Sequence, residues 1–479
     1  MTRLFATTAA SAPGTLSLLV SVVGPASRPP VPSVALGGVS APVTVRREWT
    51  SLRGAAKRGT TLSPGWSTLV EVPASEPSRV RVQVGGEGIE LFARPLPRAL
   101  PAPDTSFSVL LVSCYHRDED AGFRVAEEAR RLARETPIDL TLHLGDQVYL
   151  DLPTRENLPK DEVALADALE RKYRDNFVPD GTNYAGLVSL APNVALPDDH
   201  EYWNNAPHVS YFLENTWRDD DRARWWQLGH SLFQGYQGFG ASDDGLPLKH
   251  AQLDLEPLSF FFANTRSHRD PERFTTLAPE TLEAVKMWAQ QLSARRRFGV
   301  LVTGQSLLDA KAAALTGRVA DYTLPNYSDF PSLAATLDAV VRETSDVLLL
   351  TGDVHWGRVA RLSPTSDVRG EASLYEVICS PAALCTTLGA DSLKSFFARL
   401  SGGRNPWPRH ADPPVLERLK RLDGTKTPWW TQTLHRQKGD MLCLLRFTRR
   451  GDGVEVRPRY VQIGKNRVDD VKPFTLRRR

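Results

Sequence analysis

The sequence predicts an α/β protein, with paired sheets and helices packed outside them, preceded by a small all-β domain. Three observations predict it. From Phe107 onward, short apolar runs alternate with stretches of helical periodicity. Four of those runs end in Asp, His, Cys or Tyr. The first hundred residues differ: they alternate polar with apolar, broken by Ser, Pro and Gly.

In chain order, residues 16–23 form the longest early apolar run. Arg3 is the one early charge, and Pro13 and Gly14 cut the run short. It reads as a strand rather than a secretion signal, and with no twin-arginine pair before it a cytoplasmic chain is favoured over an exported one. Residues 67–72 and 79–84 alternate, which argues for a β-sandwich of Ig-like type. A Pro-rich stretch over 94–103 reads as a stiff spacer. The expected division is a β-domain over 1–100 and a larger domain over 105–479. Residues 107–113 are nearly all apolar, as in a strand buried on both faces. Phe123, Ala126, Ala129 and Leu132 or Ala133 make a helical stripe over 121–135. A strand over 138–144 follows, then helices over 161–177 and 215–233. Strands over 259–263, 299–303 and 347–351 surround a helix over 281–292. Strands return at 374–379, 441–446 and 454–461.

The chain has 479 residues, 41% apolar and 24% charged, which excludes a disordered or fibrous protein. Fifty-nine basic against 56 acidic residues leave +3, too balanced for a dedicated nucleic-acid or anionic-membrane protein. No apolar stretch approaches the roughly 20 residues of a spanning helix. Cys114, Cys379, Cys385 and Cys443 are too few for a disulfide scaffold. Cys379 and Cys385 have no second close pair, which argues against a zinc site.

The chemistry lies where strands end. The segments are Ser113-Cys114-Tyr115-His116, Gly145-Asp146-Gln147-Val148-Tyr149, Asp198-Asp199-His200-Glu201 and Gly352-Asp353-Val354-His355. In α/β sheets ligands bind at the carboxyl ends of strands. Gly before Asp, twice, permits a sharp turn that aims the carboxylate over the sheet edge. Asp, His, Cys and Tyr are all metal ligands when deprotonated. Two ions sharing a carboxylate can clamp the attacking and leaving oxygens of a phosphoryl displacement.

As a set these segments, with Asn204-Asn205 following the third, resemble the PhoD-type alkaline phosphatases and phosphodiesterases of the calcineurin-like metallophosphoesterase superfamily. The resemblance runs from about Phe107 to the C-terminus. It implies a four-layer αββα domain, a multinuclear metal centre, and hydrolysis of a small phosphate monoester or diester by in-line attack of a metal-bound hydroxide. Asp146 would be the bridging carboxylate. Cys114, Tyr149 and His355 would hold the first ion, and Asp199 and Asp353 would lie on the second side. Thiolate and phenolate favour Fe(III) at the first position. Ca2+ is implied at the second, with Zn2+ or Mn2+ as alternatives. His200 would be the general acid, with Asp198 or Glu201 orienting its other ring nitrogen. Arg266 would clamp phosphate.

Some positions stay open. Asn264 stands where the family has Asp, so it either holds a metal weakly or only orients Arg266. His116 keeps the spacing of an extra ligand. Asn204 and Asn205 read as a turn, and His143 as a hydrogen-bonded core residue. Trp203, Trp225 and Trp226 are candidates for an apolar wall of the cleft. The Pro- and Trp-rich insertion over 385–435 has the composition of a lid. A second function class keeps the fold without turnover: a metal-stabilised phosphate- or nucleic-acid-binding protein.

Overall fold

The computed structural model describes residues 2–53, 62–152, 158–210, 213–238, 248–307, 323–363, 373–383, 417–418, 429–465 and 467–479. Cys385 and most of the 385–435 insertion lie outside the described residues. Two large mixed sheets form the body. The first centres on three parallel strands, Phe107–Val112, Leu140–Leu144 and Asn193–Leu196. Met441–Arg450 and Gly453–Gln462 add antiparallel strands on one side. The second sheet centres on Leu258–Ala263, Phe298–Val302, Val347–Thr351 and Leu374–Ile378, all parallel in that order.

The central strands carry no polar face because both faces are covered. Val109, Leu111, Leu142 and Leu144 pack inward against Phe260, Phe262, Val300, Leu348 and Leu350 of the other sheet. The alternate residues Leu110 and Val112 face the helices Arg124–Glu135, Glu162–Phe177 and Asp219–Gln237. On the far side, Phe261, Leu301 and Leu349 meet the helices Pro279–Ala294 and Phe330–Glu343. The result is a mixed α/β protein of several sheets with helices outside.

Helix starts differ from the predicted ones for local reasons. The first begins at Arg124 rather than 121, because Gly122 and Phe123 have φ of 78° and 55°. Asp120 Oδ1 then accepts from Arg124 N at 2.8 Å. Asp161 is the cap of its helix rather than a member, its Oδ1 accepting from Ala164 N at 2.9 Å. The predicted 215–233 helix is shifted to Asp219–Gln237, after a short 3-10 turn at Glu214–Thr216.

The N-terminal residues are not set apart from this body. Arg3–Ala9 pairs in parallel with Asn193–Leu196 at Ala9 and Asn193. Thr15–Val23, Gly65–Pro73 and Thr44–Ser51 extend the same sheet outward. A separate four-stranded sheet, Val39–Ala41, Ser33–Leu36, Ser78–Val84 and Glu87–Ala93, packs across this extension through Leu18, Val20, Val70, Val80 and Val82. Among the described residues no helix is long and apolar enough to cross a membrane.

Candidate metal centre

Register brings the motifs level. Leu144 pairs with Leu196, so two residues on Asp146 stands beside Asp198. Val112 pairs with His143, which places Cys114 beside Gly145, and Cys114 N donates to Gly145 O at 3.1 Å. On the second sheet Val302 pairs with Leu350, and Gly352 N donates to Gly304 O at 3.0 Å. The two sheets nearly touch at this end. A Cβ on Gly352 would fall 2.5 Å from Leu144 O and 2.7 Å from Ser113 Cβ. At Gly145, φ is 96° and a Cβ would fall 2.5 Å from Asp198 Cβ. Glycine is required at both positions.

The polypeptide is forced into unusual shapes where the chemistry sits. Cys114, Asp146, Asp353 and His355 all have left-handed backbone, with φ between 51° and 60°. Glu201 braces one turn: its carboxylate accepts from Asp146 N at 2.9 Å, Gln147 N at 2.6 Å and Asp198 N at 2.8 Å.

Two overlapping groups of side chains bring ligand atoms within 4.8 Å of one another. One is Asp146, Asp199 and His200; the other is Asp146, Asp198, Asp199 and Asp353. Asp146 is 0% exposed. Burial, and after it Asp199, push its carboxyl well above the usual carboxylate range. Burial, then Asp146 and Asp353, likewise push the Cys114 thiol up. A cation among these groups would reverse both shifts, so the donor set fits a metal. Cys114 Sγ lies 3.5 Å from Asp146 Oδ2 and accepts from Ser380 Oγ at 3.1 Å.

Two further expected ligands, Tyr149 and His355, are placed by other contacts. Tyr149 places its ring 4.2 Å from that of His200 and 5.3 Å from that of His116. His355 is placed through its backbone, its N–H donating to Ser380 Oγ at 3.0 Å, the hydroxyl that serves Cys114.

His200 has a different partner from the two expected. Its Nδ1 lies 2.7 Å from Asp151 Oδ1. Glu201 is occupied with backbone, and Asp198 accepts from Arg266 Nε at 2.6 Å. Burial opposes charge on His200, but Asp151, Asp199 and Asp146 outweigh it and its pKa is well above that of a free imidazole. Asp151 stays ionised: burial raises its pKa, yet His200 brings it below the usual value.

Arg266 is 0% exposed and turned inward. Besides Asp198, it donates from Nη1 to Ala206 O at 2.9 Å, and its Nη2 lies 3.8 Å from Asp199 Oδ1. Asn264 serves this residue: its Oδ1 accepts from Arg266 N at 3.1 Å and Ser267 N at 3.0 Å, while Nδ2 donates to Leu248 O. Of the two readings of Asn264, orientation is the one its contacts match. Asn205 has φ of 65°, and its N–H donates to Asp199 Oδ2 at 2.8 Å within a turn. His143 bonds Tyr184 and Asn193 in the core, as read. Trp203 and Trp225 are buried beside Trp226, whose ring stacks on Tyr202.

Three contributors escaped the sequence reading. Asp151 follows Tyr149 by two residues and carries no local mark. Ser380 is a lone serine. Gln305 was more visible, since Thr303-Gly304-Gln305 repeats the pattern of a strand ending in Gly and a polar residue. Its Nε2 donates to Asp353 Oδ2 at 3.2 Å.

No family model and no curated protein matches the chain. Among solved structures, that of PhoD aligns over 99% of this chain and 91% of its own, at 14% identity and a TM-score of 0.61. GAP50, the anchor in the inner membrane complex of Plasmodium, aligns over 77% of this chain and 89% of its own, at 9% identity and a TM-score of 0.37, too loose to carry an argument. Two mixed sheets meeting at one set of strand ends, aligned along nearly the whole chain, give this protein a PhoD-like fold.

Proposed function

We propose that the chain is a metal-dependent hydrolase of small phosphate monoesters or diesters. One observation carries the reading: Asp146, Asp198, Asp199 and Asp353 converge from strand ends of both sheets, with His200 beside them. A finer account of the fold goes with it, in which the body is a four-layer αββα sandwich and residues 1–100 an Ig-like β-sandwich.

Asp146, Asp199 and Asp353 would hold a hard cation of calcium type through oxygen, with Asp198 alongside. Cys114, Tyr149 and His355 would hold the other ion, Fe(III) in preference to zinc or manganese. Bound there, the ions would supply Lewis acidity toward the phosphoryl oxygens and the attacking water. The chain's own residues do the rest. Asp151 keeps the Nδ1 proton of His200, so the proton passed to the leaving oxygen would come from Nε2. The Tyr149 ring against His200 fixes the imidazole plane. Arg266, expected to clamp phosphate, instead has its Nε on Asp198, and would act by holding that carboxylate beside the cluster.

The test is elemental analysis of the purified protein beside assays with a chromogenic phosphate monoester and diester. Hydrolysis is expected, and Asp146→Asn and Asp353→Asn should each fall to background. Full activity in either variant would refute the assignment. A visible charge-transfer band that vanishes in Tyr149→Phe supports iron(III). A colourless zinc protein removes iron and leaves ester hydrolysis standing. The non-catalytic alternative drew on Asn264, whose amide is engaged with the Arg266 turn.

A further inference from the structure

Between the strand Asn193–Leu196 of the first sheet and the edge strand His250–Leu255 of the second lies a cavity of about 420 Å³ whose described lining includes no residue of the carboxylate cluster. Its size is that of a small-molecule site. Ala10, Pro13, Val194, Leu253 and Phe262 supply apolar walls. One end is different. It is closed by Gln234, Gln237 and Gly238, at the end of the helix Asp219–Gln237.

Gln237 is 1% exposed, and neither the oxygen nor the nitrogen of its amide has a hydrogen-bond partner among the described residues. A buried polar group left so costs free energy. Arg47 does not line the cavity but stands behind this end: a Cβ on Gly238 would fall 2.7 Å from its Nη1. Arg47 is 9% exposed, its guanidinium donates to Gln234 Oε1 at 3.2 Å and Ser67 Oγ at 3.4 Å, and its Nε has no partner among the described residues. Burial lowers its pKa to about 10, and no carboxylate offsets the shift. Asp254, the acid among the described lining residues, is held by Arg297 and by Ser259 Oγ at 2.6 Å.

We propose that this cavity binds a small amphiphile, its apolar body along the Val194–Phe262 walls and a carboxylate head at Gln237, facing Arg47. An anionic head gives the Gln237 amide nitrogen an acceptor and the buried guanidinium a counter-charge. A cationic head would meet like charge.

The experiment titrates decanoate, below its micelle concentration, into the full chain by calorimetry, with decanol and decylamine as controls. Saturable one-to-one binding of decanoate is expected. It should weaken at least about tenfold in Gln237→Leu and in Arg47→Met, and vanish in Ala251→Phe, which fills the cavity. Decanol binding as tightly as decanoate overturns the head-group assignment. Absence of saturable binding, or undiminished binding in Ala251→Phe, overturns the site. If Arg47→Met does not fold, Gln237→Leu decides, because it swaps an unpartnered amide for an apolar side chain of similar size. None of these readouts depends on phosphate-ester hydrolysis.

Discussion

His143 sits on Leu140–Leu144 with Nδ1 2.7 Å from the Tyr184 hydroxyl and Nε2 2.8 Å from Asn193 Oδ1. Burial lowers its pKa from 6.5 to about 4. Between those values the unfolded chain binds the extra proton and the folded chain does not, so stability is present above pH 6.5 and is lost as pH falls toward 4. The loss from this one group is roughly 3 kcal/mol. Denaturant unfolding at pH 7 and pH 4.5 should show a smaller pH difference in His143→Gln than in the wild type; equal differences would refute the assignment. Gln305 makes a second case. Its amide links Arg269 to Asp353, so Gln305→Ala should cost about 10- to 100-fold in metal retention and kcat/KM with the fold intact. Metal content after dialysis and unchanged circular dichroism check it together. Asp146 and Asp353 were legible because an apolar run and then a glycine lead into each. Asp151 was not: its role exists through His200, and nothing within Leu150-Asp151-Leu152 distinguishes it from a loop acid.

The elements follow the same logic one level up. Central strands were legible because they are buried on both faces, and Val347–Thr351 has the bounds the apolar run predicts. Helix starts were less so, because they depend on which polar residue turns its side chain to the backbone, as Asp120 and Asp161 do. The helix Phe330–Glu343 escaped the reading, although its buried Leu333, Leu337 and Val341 recur at helical spacing. The Gly-Asp turns give the sharpest test. Gly145→Ala combines a left-handed backbone with a Cβ 2.5 Å from Asp198, and should destabilise the chain by at least about 2 kcal/mol. Gly352→Ala has negative φ but meets Leu144 O at 2.5 Å, so its cost comes from forcing the sheets apart. Thermal unfolding of both variants reads the difference, and a wild-type melting temperature in either would sink the argument.

Across the whole molecule, the Pro-rich stretch suggested two bodies joined by a spacer, and the hydrogen bonding runs through that boundary. Asn193 pairs with Ala9, and its Nδ2 donates to Thr8 O at 2.9 Å. Arg53 reaches across to Asp167 and Glu170 on the helix Glu162–Phe177. No local pattern announces a pairing between residues so far apart in sequence, which is why the alternation was readable and its partner was not. Residues 105–479 expressed alone should fail to fold, because Asn193–Leu196 becomes an uncovered sheet edge and the buried Glu170 loses Arg53. A soluble fragment with native circular dichroism would overturn this.

Cys114, Asp146, Asp353 and His355 each hold a backbone shape that costs a non-glycine residue about 1 kcal/mol or more. If the proposed hydrolysis runs through them, the gradient of thermostability and the gradient of turnover point in opposite directions at these four positions. A laboratory selection that rewards heat resistance alone would drift toward glycine or asparagine there and return sturdy, inert proteins. Lineages that retain Asp146 and Asp353 do so against a standing local pull, so the survival of these carboxylates in any relative is itself a record of continued selection for what they do.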